Sequence, residues 1–163
     1  MSRLASLLLV LFGMGIQGCS HQDQKVVKEG IPEDSVRSWA SDFFAHYAER
    51  QDWERFLDRY ADTVVFEDVL LQLKMEGKSA FAEFYDWPNP GFQKHPDYPA
   101  TLVLDQLLVD GTSAVGIGRL TPFYWQDTLY ELKTHGRFIM QLEFDPSGQI
   151  IRHTDWIDYP PID

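Results

Sequence analysis

The apolar residues of this chain change their spacing near residue 100, and that change limits the folds open to it. Before this point apolar side chains recur every three or four positions, as in Val36, Ala40, Phe43 and Tyr47, the period of a helix buried on one face. From Ala100 onward they follow the two-residue period of strands. Helices followed by antiparallel strands predict an α+β domain whose helices pack on one face of a curved sheet.

Three helices and one strand are predicted before the four closing strands. Asp52 is a favourable N-cap for the second helix, whose apolar face is predicted to contain Trp53, Phe56, Leu57 and Tyr60. A strand over residues 63–69 follows, and the third helix lies in "GKSAFAEFYDW", with Phe81, Phe84 and Tyr85 facing inward. The prolines at 88, 90, 96 and 99 predict a loop without regular structure.

Four strand-like runs follow the loop, over residues 101–109, 113–125, 129–144 and 149–159. The turn sequences at 110–111, 126–128 and 145–148 separate them, as in antiparallel hairpins. The glycines in "GIG" at 116–118 are interpreted as relief for sheet curvature.

The first 18 residues have the layout of a secretory signal: Arg3, an apolar run from Leu4 to Ile16, then small residues. The run is shorter than a membrane span requires. "IQGC" at 16–19 resembles the lipobox of bacterial lipoproteins, which implies cleavage before Cys19 and acylation of its thiol by fatty acids such as palmitate. Cys19 is the one cysteine of the chain. The alternative is an ordinary signal peptide with an incidental cysteine.

Beyond the signal, residues 19–33 are predicted to form the lipidated cysteine and a polar tether, and residues 34–163 the folded domain. Ser20 after the cysteine resembles the pattern sorted to the outer membrane in bacteria with two membranes, on its periplasmic side. Fourteen basic residues less Arg3 leave 13 against 25 acidic ones, a formal charge of −12. That charge argues against nucleic acid as a partner and against electrostatic adhesion to anionic lipid, so the acyl chain has to hold the protein at the membrane.

The closing run "IIRHTDWIDY" carries an unusual set of polar groups. Strand alternation places His153 and Asp155 on one face between Ile151 and Ile157. An apolar lining with a few converging polar groups is typical of a pocket wall. The alternative interpretation is a structural His–Asp contact on an exposed sheet edge.

The order helix–helix–strand–helix and a four-strand meander resembles the cone of the nuclear transport factor 2-like (NTF2-like) superfamily, in particular its SnoaL-like polyketide cyclases. The ending "GRFIMQLEFDPSGQIIRHTDWIDYP" is similar to the closing hairpin of that branch. "RYADTVVFEDV" and "GKSAFAEFY" resemble its first strand and third helix. The resemblance covers about residues 35–160 and implies three N-terminal helices packed on a curved antiparallel sheet. It is a weak guide to activity, because this scaffold hosts enzymes and binding modules alike.

Steroid isomerases of this fold have a general-base Asp at the end of the first strand, and Asp68 matches it. Their oxyanion-hole positions correspond to Phe44 and Met140, which cannot donate a strong hydrogen bond. The resemblance therefore argues against isomerase chemistry at these two positions and implies that both line an apolar pocket.

Epoxide-hydrolase-like members of the superfamily use an Asp–Arg–Asp set. Arg119 matches its arginine, Thr121 replaces one acid, and Asp155 matches the other. In SnoaL-like cyclases an acid of the closing strand is the acid/base, and Asp155 again matches. The resemblance therefore implies Asp155 as acid/base, with His153, Asp68 and Arg119 as partners.

Two aromatic residues complete the predicted ligand site. Tyr47 lies on the apolar stripe of the first helix and is either a pocket residue or a core tyrosine. Trp87 begins the proline-rich loop and either covers the cone mouth or pins the loop. The histidine spacing predicts no metal site, and no cofactor motif is present.

The sequence favours a lipid-anchored protein of the bacterial cell envelope that binds a small, largely apolar molecule. The SnoaL-like cone is expected to bind this molecule with or without cyclase-, isomerase- or hydrolase-like acid/base chemistry, and the incomplete catalytic sets favour binding over catalysis. The alternative is a non-enzymatic interaction module that forms a homodimer, or docks an envelope partner, through the outer face of its sheet.

Overall fold

The structure is a computed structural model that describes residues 30–132 and 136–158. Three helices precede most of the strands: α1 (Glu33–Glu49), α2 (Trp53–Leu57) and α3 (Lys78–Tyr85). The Asp52 carboxylate accepts a hydrogen bond from the Arg55 amide at 3.3 Å, so the predicted N-cap of α2 is present. The signal, Cys19 and most of the tether lie outside the described residues, and within them no helix is long and apolar enough to cross a membrane.

Nine strands occur in the described part of the chain: β1 (Tyr60–Asp68), β2 (Leu73–Glu76), β3 (Phe92–Lys94), β4 (Leu102–Asp110), β5 (Ser113–Leu120), β6 (Phe123–Trp125), β7 (Thr128–Tyr130), β8 (Arg137–Phe144) and β9 (Ile150–Ile157). Six form a sheet in the order β2-β1-β9-β8-β5-β4, and the other three form a small sheet in the order β3-β6-β7. The α+β class and the packing of helices on one face of a curved sheet are confirmed.

The large sheet is mixed, whereas the sequence predicted an antiparallel one. The hairpins β4–β5 and β8–β9 are antiparallel as expected, but β1 pairs with β9 in parallel. The first and last strands of the domain therefore lie side by side, and Asp68 is in register with Asp155.

Several element boundaries differ from prediction. Residues 92–94 form β3 despite the surrounding prolines, because none of the three is proline and β6 lies beside them as a hydrogen-bonding partner. Thr121–Pro122 divides the second predicted run into β5 and β6, and the third run is divided into β7 and β8. Tyr60 belongs to β1 and not to α2, and Phe84 of α3 is 38% exposed.

The interior of the cone is filled largely by aromatic side chains. Phe43 of α1 is fully buried and contacts rings from α1, α2, β1 and β9. Phe44 packs over Gly116 of β5, where an added Cβ would lie 2.1 Å from the Phe44 ring. The glycine therefore makes room for a core ring, which occupies this part of the cone.

Candidate functional site

The closing strand β9 turns His153 and Asp155 into the interior, and both side chains are fully buried. Ile157 is buried on the same face, but Ile151 is 39% exposed and Ile150 is buried in its place. The pairing of β8 with β9 shifts register between Glu143 and Phe144. This bulge reverses the alternation at the start of the strand, which corrects the predicted position of Ile151. Tyr159 lies outside the described residues.

His153 and Asp155 form a close buried pair. The Nε2 atom of His153 lies 2.7 Å from Oδ1 of Asp155. Neither atom has a well-aligned hydrogen bond within the described residues, so the pair is held by electrostatic attraction more than by hydrogen-bond geometry. An imidazole and a carboxylate in close contact are groups that enzymes use for acid/base catalysis.

Two tyrosines complete a polar chain through the aromatic interior. The Tyr85 hydroxyl of α3 donates a hydrogen bond to Oδ2 of Asp155 at 2.5 Å. On the other side, the Tyr60 hydroxyl lies 3.0 Å from Nδ1 of His153. Burial raises the pKa of Tyr60, and the charge of Asp155 raises it further. Tyr60 is therefore protonated at neutral pH and able to donate to Nδ1, which favours the proton of a neutral imidazole on Nε2, facing Asp155.

Asp68 is buried at the end of β1, beside Asp155 in the sheet register. Its Oδ1 accepts hydrogen bonds from the amides of Leu70 and Leu71, at 3.0 and 2.9 Å. The charge of Asp68 is also among the groups that raise the pKa of Tyr47. Asp68 therefore belongs to the buried polar region and also caps the turn after β1.

The structure does not bring Arg119 together with these residues. Its side chain lies on the outer face of β5 and is 58% exposed, and its Nη1 lies 2.8 and 2.9 Å from the two carboxylate oxygens of Asp105. Arg119 therefore does not act together with Asp155 in the buried site.

The four predicted ligand-binding residues occupy different depths. Phe44 and Met140 are buried in the core, where Phe44 stacks on Phe138. Trp87 is buried against Phe56 of α2, with ring centroids 4.0 Å apart, so it pins its loop to α2. Tyr47 lines a cavity.

That cavity has a volume of about 170 Å³ and lies at the mouth of the cone. Its polar lining consists of Tyr47, Arg50 and Thr101, and its apolar lining of Leu120, Ile157, Phe92 and Phe123. A concave, mainly apolar surface with a few polar groups is typical of a small-molecule site.

Tyr47 connects this cavity with the buried pair. Burial, together with the charge of Asp155, raises the pKa of Tyr47 to about 12. The charge of Arg50 and a hydrogen bond with Tyr85 lower this pKa and offset part of the rise. Tyr47 is thus a neutral hydrogen-bond donor at pH 7. The order of groups from the cavity inward is Tyr47, Tyr85, Asp155, His153 and Tyr60. Such a chain can carry a proton between a molecule in the cavity and the buried carboxylate.

Sequence reasoning missed three members of the site: Tyr60, Tyr85 and Arg50. The two tyrosines were assigned to apolar helix faces, and their spacing does not show what their hydroxyls meet. Arg50 ends α1 with a left-handed backbone, φ 48°, and no sequence signal distinguishes it from a solvated arginine. The described residues contain no group of three or more His, Cys, Asp or Glu side chains that could hold a metal ion.

No family model and no curated protein matches the sequence. Solved structures do match it. A candidate ketosteroid isomerase from Kribbella flavida DSM 17836 is 23% identical, with a TM-score of 0.55 over 80% of this chain and 84% of that one. A candidate SnoaL-like polyketide cyclase from Shewanella putrefaciens CN-32 is 15% identical, with a TM-score of 0.57 over 76% of this chain and 80% of its own.

A third match is an LEH-like epoxide hydrolase from M. tuberculosis, which is 14% identical, with a TM-score of 0.59 over 77% of this chain and 84% of that one. These likenesses establish that the chain has the NTF2-like cone predicted from its sequence. At such identities they establish the fold and not an activity.

Proposed function

We propose that this protein binds a small, largely apolar molecule in the cavity at the cone mouth. The observation that carries the proposal is the cavity wall: four apolar side chains surround a space of about 170 Å³, with Tyr47 and Arg50 beside them. The deep cone is filled, so the ligand is small and lies near the mouth. The named activities of the structural neighbours, isomerase, cyclase and epoxide hydrolase, are all carried out on small organic molecules.

We further propose that the protein carries out acid/base chemistry on the bound molecule. In it, Asp155 stores or supplies a proton, His153 shares it, and Tyr85 and Tyr47 carry it to the ligand. The supporting observation is the continuity of hydroxyl, carboxylate and imidazole groups from the cavity to Tyr60. Asp68 contributes negative charge beside the chain, and Arg119 has no part in it.

The binding proposal is tested by filling the cavity. Small molecules that co-purify with the protein are released and identified by mass spectrometry, for the wild type and for two variants. Leu120→Trp places a bulky ring in the cavity wall, whereas Leu108→Trp places the same ring on an outward position that is 47% exposed. We expect the wild type and Leu108→Trp to retain a common ligand that Leu120→Trp lacks. Equal retention by the two variants would show that the ligand binds elsewhere.

The proposed location is the bacterial cell envelope, with the protein anchored by lipid on Cys19. Cys19→Ser is expected to abolish labelling by a fatty-acid analogue and to release the protein from membranes, whereas Ser20→Ala is expected to do neither. A Cys19→Ser protein that still carries label would refute the anchor. In a bacterium with two membranes, recovery of the wild type in the inner membrane would contradict the sorting inferred from Ser20.

A second candidate function, an interaction module, is favoured by the outer face of the sheet. Ile117, Ile139 and Trp156 lie in one row across β5, β8 and β9, and Ile139 is 42% exposed. Contact with a second copy of the chain would remove this apolar row from water. Analytical ultracentrifugation distinguishes the candidates: Ile139→Lys would convert a dimer into a monomer, and Leu71→Lys, at an exposed site after β1, would not. A wild type that sediments as a monomer excludes the homodimer.

A further inference from the structure

The cavity wall contains a cationic group that the proposed acid/base chain does not use. Arg50 follows the last residue of α1, and its side chain enters the wall beside Tyr47. Its guanidinium carbon lies 3.9 Å from the centroid of the Phe92 ring and 5.3 Å from that of Trp87. Two aromatic rings therefore hold a guanidinium at the edge of the cavity.

The charge of Arg50 lacks a counter-ion among the described residues. No ion pair joins it to a carboxylate there, and its Nε atom is buried without a hydrogen-bond partner. Burial lowers the pKa of Arg50, and Asp86 opposes that effect without forming an ion pair. Arg119 differs in both respects, because it is exposed and paired with Asp105 at 2.8 Å. A partly desolvated cation without an anion is costly by itself and strongly favours an anionic partner.

The contact of Arg50 with the Phe92 ring leaves N–H groups of the guanidinium available as hydrogen-bond donors. A guanidinium that lies flat on an aromatic ring uses its faces, while its N–H groups point outward in its plane. A carboxylate can accept two of these N–H groups in parallel. Tyr47 lines the same cavity, but its single hydroxyl proton is used in the hydrogen bond with Tyr85, whose own proton goes to Asp155, so Arg50 is the group that binds the anion.

The volume of the cavity limits the rest of the ligand. At about 170 Å³ it is smaller than the sites of drug-sized molecules. An apolar protein cavity of ~150 Å³ is known to hold benzene. The lining of Leu120, Phe123 and Ile157 therefore suits a single ring or an aliphatic group of equal size.

We propose that the cavity is specific for a ring-sized organic carboxylate, whose carboxylate group is bound by Arg50 and whose apolar part contacts Leu120, Phe123 and Ile157. This inference rests on the proposed binding function and names the chemical class of its ligand. The same anion would neutralise Arg50 and place an ionised organic acid beside the hydroxyl that leads to Asp155.

The test is a pair of probes that differ in charge and hardly in shape. Benzoate and benzamide are titrated calorimetrically into the wild type, Arg50→Met and Arg119→Met. Methionine retains much of the apolar stem of arginine and removes the charge, and Arg119→Met makes the same change at the exposed, paired arginine. We expect the wild type and Arg119→Met to bind benzoate roughly ten- to a hundredfold more tightly than benzamide, the worth of a charge-assisted hydrogen bond. Arg50→Met is expected to lose this preference.

Equal binding of the two probes by the wild type, or a preference that survives in Arg50→Met, would overturn the inference. Absence of benzoate binding would overturn it too, while the ligand survey with Leu120→Trp tests the binding function separately. Should Arg50→Met fail to fold, Arg50→Lys decides, because it keeps the charge without the planar fork. Arg50→Lys is expected to lower the preference for benzoate over benzamide several-fold. An unchanged preference would count against a bidentate contact between Arg50 and the carboxylate.

Discussion

At the residue scale, the buried carboxylate of Asp155 lies between two other polar groups. It faces His153 through one oxygen and Tyr85 through the other. Asp155→Ala removes the partner of both buried groups and is expected to cost about 3–5 kcal/mol of stability. Asp155→Asn is expected to cost much less, because its amide oxygen can still accept from Tyr85. Its NH₂ can donate to Nε2 of His153 once the imidazole proton moves to Nδ1, where the Tyr60 oxygen accepts it.

Denaturant unfolding measures both changes, and Asp105→Ala is the matched control. That substitution removes the same side chain from an exposed pair with Arg119, where a surface ion pair contributes about 1 kcal/mol or less. If Asp155→Ala loses no more free energy of unfolding than Asp105→Ala, the buried pair does not stabilise the domain. In the proposed function, Asp155→Asn retains the fold and loses turnover.

Tyr47 is expected to make stability depend on alkaline pH. Its pKa rises from 10.0 to about 12 in the folded protein, so the folded state holds this proton more firmly than the unfolded state. The resulting stabilisation, about 2–3 kcal/mol by linkage, is complete below pH 10 and is lost as the pH rises from 10 to about 12. Tyr47→Phe cannot ionise, and its unfolding free energy should fall less steeply over that range. Tyr98→Phe, at a 42% exposed site, is the control, and equal slopes for the two variants would contradict the shift.

At the scale of elements, β5 is shaped by its two inward glycines. A Cβ at Gly116 would lie 2.1 Å from the end of the Phe44 ring, and a Cβ at Gly118 would lie 2.2 Å from the carbonyl oxygen of Val103 in the paired strand. Gly116→Ala is expected to cost about 1–3 kcal/mol by overpacking. Gly118→Ala should cost more, because a backbone oxygen can move only if β4 separates from β5.

Thermal and denaturant unfolding of both glycine variants test this order. Gly30→Ala is the control, since an added Cβ there meets nothing within 4 Å. If Gly118→Ala were the milder substitution, the close approach of β4 to β5 would be wrong. The sequence indicated only that these glycines relieve curvature, whereas the structure shows that each makes room for a particular neighbour.

At the scale of the whole molecule, the folded domain is expected to be independent of residues 20–29 of the tether, whereas Ile31 and Glu33 belong to the folded part. Residues 20–29 are polar and have no apolar period, while Ile31 and Val36 pack against the core. Deleting residues 20–29 should leave the melting temperature nearly unchanged. A deletion that extends to residue 36 removes both apolar residues and the first turn of α1, and it should lower the melting temperature clearly. A loss of several degrees from the shorter deletion would mean that the tether packs on the domain.

The sequence by itself determined the fold class and the inward orientation of His153 and Asp155. Both follow from local periodicity, because helical spacing and strand alternation decide which side chains share a face. The N-cap at Asp52 and the hairpin turns of β4–β5 and β8–β9 are equally local, and the structure has them where they were predicted.

Only the tertiary structure decided what these inward groups meet. Tyr85 and Asp155 are 70 residues apart, and Tyr60 and His153 are 93 apart, so their contacts depend on sheet register and on the docking of α3. The bulge that exchanges Ile150 for Ile151 depends on the pairing of β9 with β8. The two arginines illustrate the same limit: Arg119 forms an ion pair on the outer face, whereas Arg50 forms none with the residues that the structure describes, although nothing in the local sequence of either distinguishes them. Periodicity specifies a face of an element, but a partner across the core is specified only when all the elements are packed.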